Sequence, residues 1–93
     1  MSRLTQDQIV KNLTDLEDWS QEENHISKIF QLKDFAEALA FVNKIGAEAE
    51  KMDHHPDIFI HSWNKVKITI STHSEGGITK KDVQLAEKIQ KLV

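Results

Sequence analysis

The sequence predicts an α+β fold: a four-stranded antiparallel sheet with three helices packed on one face, in the order α-β-β-α-β-β-α. Three observations carry this expectation. Apolar residues recur at helical spacing from Phe35 to Met52. Apolar and polar residues alternate from Val66 to Thr72, as in a half-buried strand. Strand-like runs come in pairs between helical segments, so neighbouring strands can close as hairpins. The 93 residues suit one small domain, 1–93, with a single modest core.

Thr5 and Gln8 form the signature of a capping box, with Leu4 as a possible staple, and they open the first helix. Ile9, Val10, Leu13 and Leu16 supply its apolar side. Trp19 begins a short strand, and Gln21-Glu22-Glu23-Asn24 is the turn after it. His25–Leu32 forms the second strand, with Ile26, Ile29 and Phe30 as its apolar content. Asp34 is a good N-cap for the long helix. Phe35, Ala38, Leu39, Val42, Ile45, Ala49 and Met52 mark that helix's apolar face. Gly46 inside it costs up to ~1 kcal/mol against alanine unless close packing requires it. Pro56 ends the run, because a residue before proline avoids the helical region.

Ile58–Trp63 and Val66–Thr72 flank Asn64-Lys65 and are expected to pair as a hairpin, with Trp63 in its core. Val66, Ile68, Ile70 and Thr72 point to one face; Lys67, Thr69, Ser71 and His73 point to the other. Ser74-Glu75-Gly76-Gly77 is a loop. Thr79 and Asp82 form a second capping box, opening the last helix. Val83, Ala86, Ile89 and Val93 line its buried side, with Leu85 and Leu92 adjacent. No linker or low-complexity tract divides the chain.

Composition excludes several function classes. The net charge of −3 argues against a broad nucleic-acid-binding face. With no cysteine there are no disulfides and no thiolate metal sites. No apolar stretch approaches the ~20 residues needed to span a bilayer. The N-terminal residues lack the apolar run of a signal peptide, so the expected location is the cytoplasm.

The histidines carry the chemistry. Three of the five stand at two junctions, Asp53-His54-His55-Pro56 and Ser71-Thr72-His73. One is where the long helix should stop and the other is where a strand should stop. Imidazole exchanges protons near neutrality, so two element ends that both present it suggest a pocket for proton transfer. Glu50 lies four residues before His54. If the helix persists, the two share a side and the carboxylate can fix the imidazole tautomer. Asp53 offers similar help or is simply solvated. His25 and His61 match no motif and are read as non-catalytic, with His61, Phe59 and Trp63 left as possible pocket-lining residues. Gly76 and Gly77 serve the turn, since no phosphate-binding loop pattern surrounds them.

The run Glu50-Lys51-Met52-Asp53-His54-His55-Pro56, then Trp63-Asn64-Lys65-Val66, then Ser71-Thr72-His73, then Asp82 resembles the pterin-4a-carbinolamine dehydratase family. The resemblance runs in order along nearly the whole chain and is densest from Glu50 to Ala86. It implies three helices on a four-stranded antiparallel sheet, associated as a homodimer or homotetramer. It also implies dehydration of 4a-hydroxytetrahydropterin to quinonoid dihydropterin. That reaction recycles the tetrahydrobiopterin used by aromatic amino-acid hydroxylases. The family's essential histidines fall on His54, His55 and His73. Its pterin contacts fall on His54, His55 and Pro56 and on Thr72, His73, Ser74 and Glu75. Glu50, Asp53, Trp63 and Asp82 are expected to support them.

The residues suit this reaction independently. Loss of water from a carbinolamine needs one proton delivered and one removed, which imidazoles can do. No metal, redox cofactor or covalent nucleophile is required; the pterin is substrate. Two rival functions also draw on these residues. Glu50, His54, His55 and His73 could ligate a metal, but His-His-Pro is unlike the i, i+4 helical pairs of zinc hydrolases. A protein-binding module, either a dimerisation cofactor or a scaffold, is the other; relatives that serve as scaffolds have lost the histidines present here.

Overall fold

The computed structural model describes residues 2–93. It contains α1 (Gln6–Thr14), β1 (Ser20–Glu22), β2 (His25–Gln31), α2 (Phe35–Met52), β3 (Asp57–His61), β4 (Lys65–Ile70) and α3 (Lys80–Gln90), with a one-turn 3-10 helix, His73–Glu75, after β4. The four strands form one antiparallel sheet in the order β1-β2-β4-β3. The α-β-β-α-β-β-α order and the α+β class are those the sequence predicts.

Strand alternation sorts the sheet into two faces. Ile26 pairs with Ile70 and Phe30 with Val66, while Ile58 pairs with Ile68 across β3 and β4. Ile26, Phe30, Val66, Ile68 and Ile70 are all buried. They share one core with Ile9 of α1, with Ala38, Phe41 and Ile45 of α2, and with Val83, Leu85, Ala86 and Ile89 of α3. The helices therefore cover a single face. Each fully buried isoleucine contributes ~1.5–3 kcal/mol of transfer free energy. Phe30 is the aromatic hinge of this core: Trp19 meets it edge-on at 6.0 Å and Phe41 tilts against it at 4.9 Å. The opposite face carries Ser27, Thr69, Lys67 and Ile29, and among the described residues no helix lies on it.

Local signals work where their geometry is self-contained. Thr5 and Gln8 form the expected reciprocal capping box. The Asp34 side chain accepts the Glu37 N–H at 2.9 Å. The Thr79–Asp82 capping box forms as well, while some other predictions need adjustment. Gln21 and Glu22, expected in a turn, continue β1, because they pair with Ile26 and His25. Val10, Phe35, Leu39 and Val93, expected on apolar faces, are exposed. On α2 the buried residues are Ala38, Phe41, Ile45 and Ala49, a narrow stripe that leaves Phe35 and Leu39 off the core. Val93 lies beyond the end of α3. An alanine Cβ at Gly46 would meet nothing within 4 Å, so packing does not require that glycine.

The β3–β4 connection also differs. It spans Ser62-Trp63-Asn64, with Ser62 and Trp63 at φ of 50° and 56°. Trp63 is 61% exposed rather than in the hairpin core. Asn64 takes the buried position instead. Its side-chain amide donates to the Leu32 carbonyl and its own carbonyl accepts the Leu32 N–H, tying the turn to the end of β2.

Candidate active site

Two junctions meet at one end of the sheet. The first is the end of α2. Asp53 adopts the left-handed conformation, φ 50° and ψ 45°. Its N–H bonds the Glu50 carbonyl, and the His54 N–H bonds the Ala49 carbonyl at 3.1 Å. This is a Schellman closure, in which aspartate tolerates the left-handed turn that usually falls to glycine. Its effect on function is directional. The turn takes His54 off the helical path, so the expected Glu50–His54 pair does not form. Glu50 pairs instead with His55, and both side chains are exposed.

His54 turns inward and meets α3. Its Nε2 lies 2.5 Å from Asp82 Oδ1, and the Asp82 side chain has no solvent exposure. The other carboxylate oxygen accepts the Thr79 N–H at 2.8 Å and the Thr72 hydroxyl at 2.9 Å. Thr72 Oγ1 is also 2.8 Å from Thr79 Oγ1. Asp82 is thus more than the capping residue its position suggests. Through one buried carboxylate it ties His54 at the end of α2 to Thr72 at the end of β4. When ionised, the carboxylate only accepts hydrogen bonds, so the proton of this contact sits on His54 Nε2, and Nδ1 is the ring nitrogen turned away from Asp82.

The second junction forms a cleft of about 260 Å³ on the uncovered face of the sheet. Thr69 and Ser71 of the β4 end lie between Asp57 on β3 and His25 on β2, as the strand register dictates. Thr72, His73, Gly76, Gly77 and Asn24 complete the lining. Thr72 and Gly77 bridge as a short antiparallel pair, and Gly76 is left-handed at φ 67°, closing the 3-10 turn. Thr72 is the shared residue: it borders the cleft and donates to Asp82, which holds His54.

Of the expected site residues, Thr72 and His73 are among those lining this cleft, while His54 and His55 are not; His54 is linked to it through Asp82 and Thr72. His73 is exposed. Ser74 and Glu75 sit in the 3-10 turn between lining residues His73 and Gly76. His55 and Pro56 lie just before Asp57, which lines the cleft. Phe59, His61 and Trp63 lie toward the other end of β3, and none lines the cleft. His25, read from the sequence as non-catalytic, lines the cleft with Asp57, Thr69 and Ser71, none of which is a sequence-predicted site residue. Their common face follows from strand pairing, which no local motif reports. Nearby on the same face, the Ser27 hydroxyl holds the Glu22 carboxyl below its ordinary value, and Lys67 and His25 add to the effect.

Residues 2–92 match the family model described as Pterin 4 alpha carbinolamine dehydratase. A provisionally named pterin-4-alpha-carbinolamine dehydratase of Sulfolobus acidocaldarius is 46% identical over 90 residues, covering 97% of this chain and 98% of the relative. One from Picosynechococcus is 45% identical over 91 residues, covering 98% of each chain. A solved structure from Brucella melitensis, described as a transcriptional coactivator/pterin dehydratase, aligns with a TM-score of 0.93 at 35% identity, covering 98% of both chains. A pterin dehydratase-like protein identified as a RuBisCO assembly factor in the α-carboxysome shares the fold, with a TM-score of 0.67 and 23% identity over 82% of this chain and 89% of that one. On the match to residues 2–92 and these full-length identities, the chain belongs to the pterin-4a-carbinolamine dehydratase family.

Proposed function

We propose that the protein is a hydro-lyase that removes water from a 4a-hydroxytetrahydropterin to give the quinonoid dihydropterin, recycling the reduced pterin of an aromatic amino-acid hydroxylase. The observation that carries this reading is the hydrogen-bonded line from His54 through Asp82 to Thr72, which ends at the cleft lined by His73. It supplies one imidazole held in a fixed orientation and a second beside open solvent.

The reaction needs one proton delivered to the C4a hydroxyl, which departs as water. A second proton leaves N5 as the C4a–N5 double bond forms. One proton enters and one leaves, so no electron acceptor or further cofactor is involved. His54 and His73 act as the acid/base pair in this scheme, and each such group typically contributes ~10²–10⁴-fold. His55, steered by Glu50, orients the substrate together with Pro56, Thr72, Ser74 and Glu75. A homodimer or homotetramer is the proposed assembly, with exposed Phe35 and Leu39 on α2 as apolar surface available for it.

The test is turnover of freshly generated 4a-hydroxytetrahydropterin, followed by absorbance before and after exhaustive chelation. The protein should exceed the spontaneous rate in both cases, and His54→Ala and His73→Ala should each slow it by at least roughly tens-fold. No rate above the spontaneous one refutes the dehydratase reading. Wild-type rates in both variants refute the acid/base assignment alone.

The same exposed Phe35 and Leu39 favour a second reading, a protein-binding role on this fold. Light scattering together with a pulldown tests it: a heterologous complex lost on Leu39→Glu supports it, and purely self-associated protein opposes it.

A further inference from the structure

We propose that His25 is a substrate-contacting residue that reads the C6 substituent of the pterin; the inference rests on the pterin reading above. His25 opens β2 on the uncovered face of the sheet and lines the same cleft as His73. The pairing of Ile26 with Ile70 places His25 beside Ser71, one step further along the register. Asp57 stands on the other flank of β4, paired with Thr69. His25 and Asp57 are therefore two strand spacings apart across the sheet and two residues offset along it, roughly 12 Å, with the small side chains of Thr69 and Ser71 between them. That is a shallow floor with a polar group on each wall, suited to a flat bicyclic heterocycle.

The two walls differ chemically. A carboxylate accepts two parallel donors, and the 2-amino and N3–H groups of a pterin present that pair. Asp57 thus takes the pyrimidine edge, which turns the reduced pyrazine ring and its C6 substituent toward His25. His54 and His55 are each engaged by a carboxylate at ion-pair distance; the carboxylate across from His25, that of Glu22, is bound instead by the Ser27 hydroxyl and lies outside that distance. The half-buried His25 imidazole keeps a donor and an acceptor for a ligand, which matches a hydroxylated side chain.

The test compares two oxidised, unreactive probes, biopterin and 6-methylpterin, by calorimetric binding to the wild type, His25→Ala and His25→Gln. One neutral hydrogen bond predicts that His25→Ala weakens biopterin roughly three- to tenfold while leaving 6-methylpterin unchanged. His25→Gln should recover part of the loss. Equal weakening of both probes, no weakening of either, or no biopterin binding by the wild type overturns the proposal. Binding is read apart from turnover, so the outcomes separate. Absent turnover with intact probe discrimination counts against the dehydratase reading; normal turnover with no discrimination counts against His25.

Discussion

Replacing Asp82 with asparagine tests the centre of the site with little change of shape. The carboxylate is fully buried and accepts three hydrogen bonds, two at Oδ2 and one at Oδ1. The amide has one acceptor oxygen. Kept toward Thr79 and Thr72, it places its NH2 against His54 Nε2, so two donors face each other. The imidazole must then move its proton to Nδ1 or lose the contact. Losing one charge-assisted bond in a buried site costs ~1.5–3 kcal/mol. For a domain of this size that lowers Tm by roughly 6–24 °C. The rate consequence is separate. With the proton on Nδ1, His54 no longer offers that nitrogen in its original role, and the loss falls within the ~10²–10⁴-fold expected of a positioned acid or base. Denaturant unfolding and dehydratase kinetics on the same preparation measure both. The decisive comparison is the double variant: if Asp82 acts through His54, His54→Ala/Asp82→Asn is no slower than His54→Ala. Asp82→Asn with wild-type kcat, or a double variant whose rate losses multiply in full, refutes the positioning role.

Two further outcomes follow from the same geometry. Gly46→Ala should stabilise the protein by ~0.5–1 kcal/mol in thermal or denaturant unfolding, because the added methyl meets nothing and helix propensity rises; destabilisation would show that another surface occupies that space. Ser27→Ala should raise the Glu22 carboxyl back toward 4.5 in an NMR titration, because the Ser27 hydroxyl is the largest cause of its depression. A depressed folded-state pKa means the ionised form contributes stability above about pH 4.5, lost as pH falls through the folded value; the variant should narrow that acid-side loss, and an unmoved Glu22 titration would refute the assignment.

The sequence alone determined the elements and their order, because each start, stop and periodicity is a local property. Asp34 and Thr5 cap the helices that follow them, and alternation in β4 fixes which of its side chains are buried. It also marked His54, His55, Thr72, His73 and Asp82, since their order along the chain is itself the signal. Tertiary structure decided which of them meet. Glu50 and His54 look like partners at i, i+4, yet the left-handed Asp53 turns the chain away and delivers His54 to a carboxylate 28 residues later. Trp63 looks like core by composition, but a turn with two positive-φ residues puts it in solvent and Asn64 inside. His25 and Asp57 carry no motif at all. They reach one cleft because β2 and β3 both flank β4, and only the sheet register brings such distant residues to a common face.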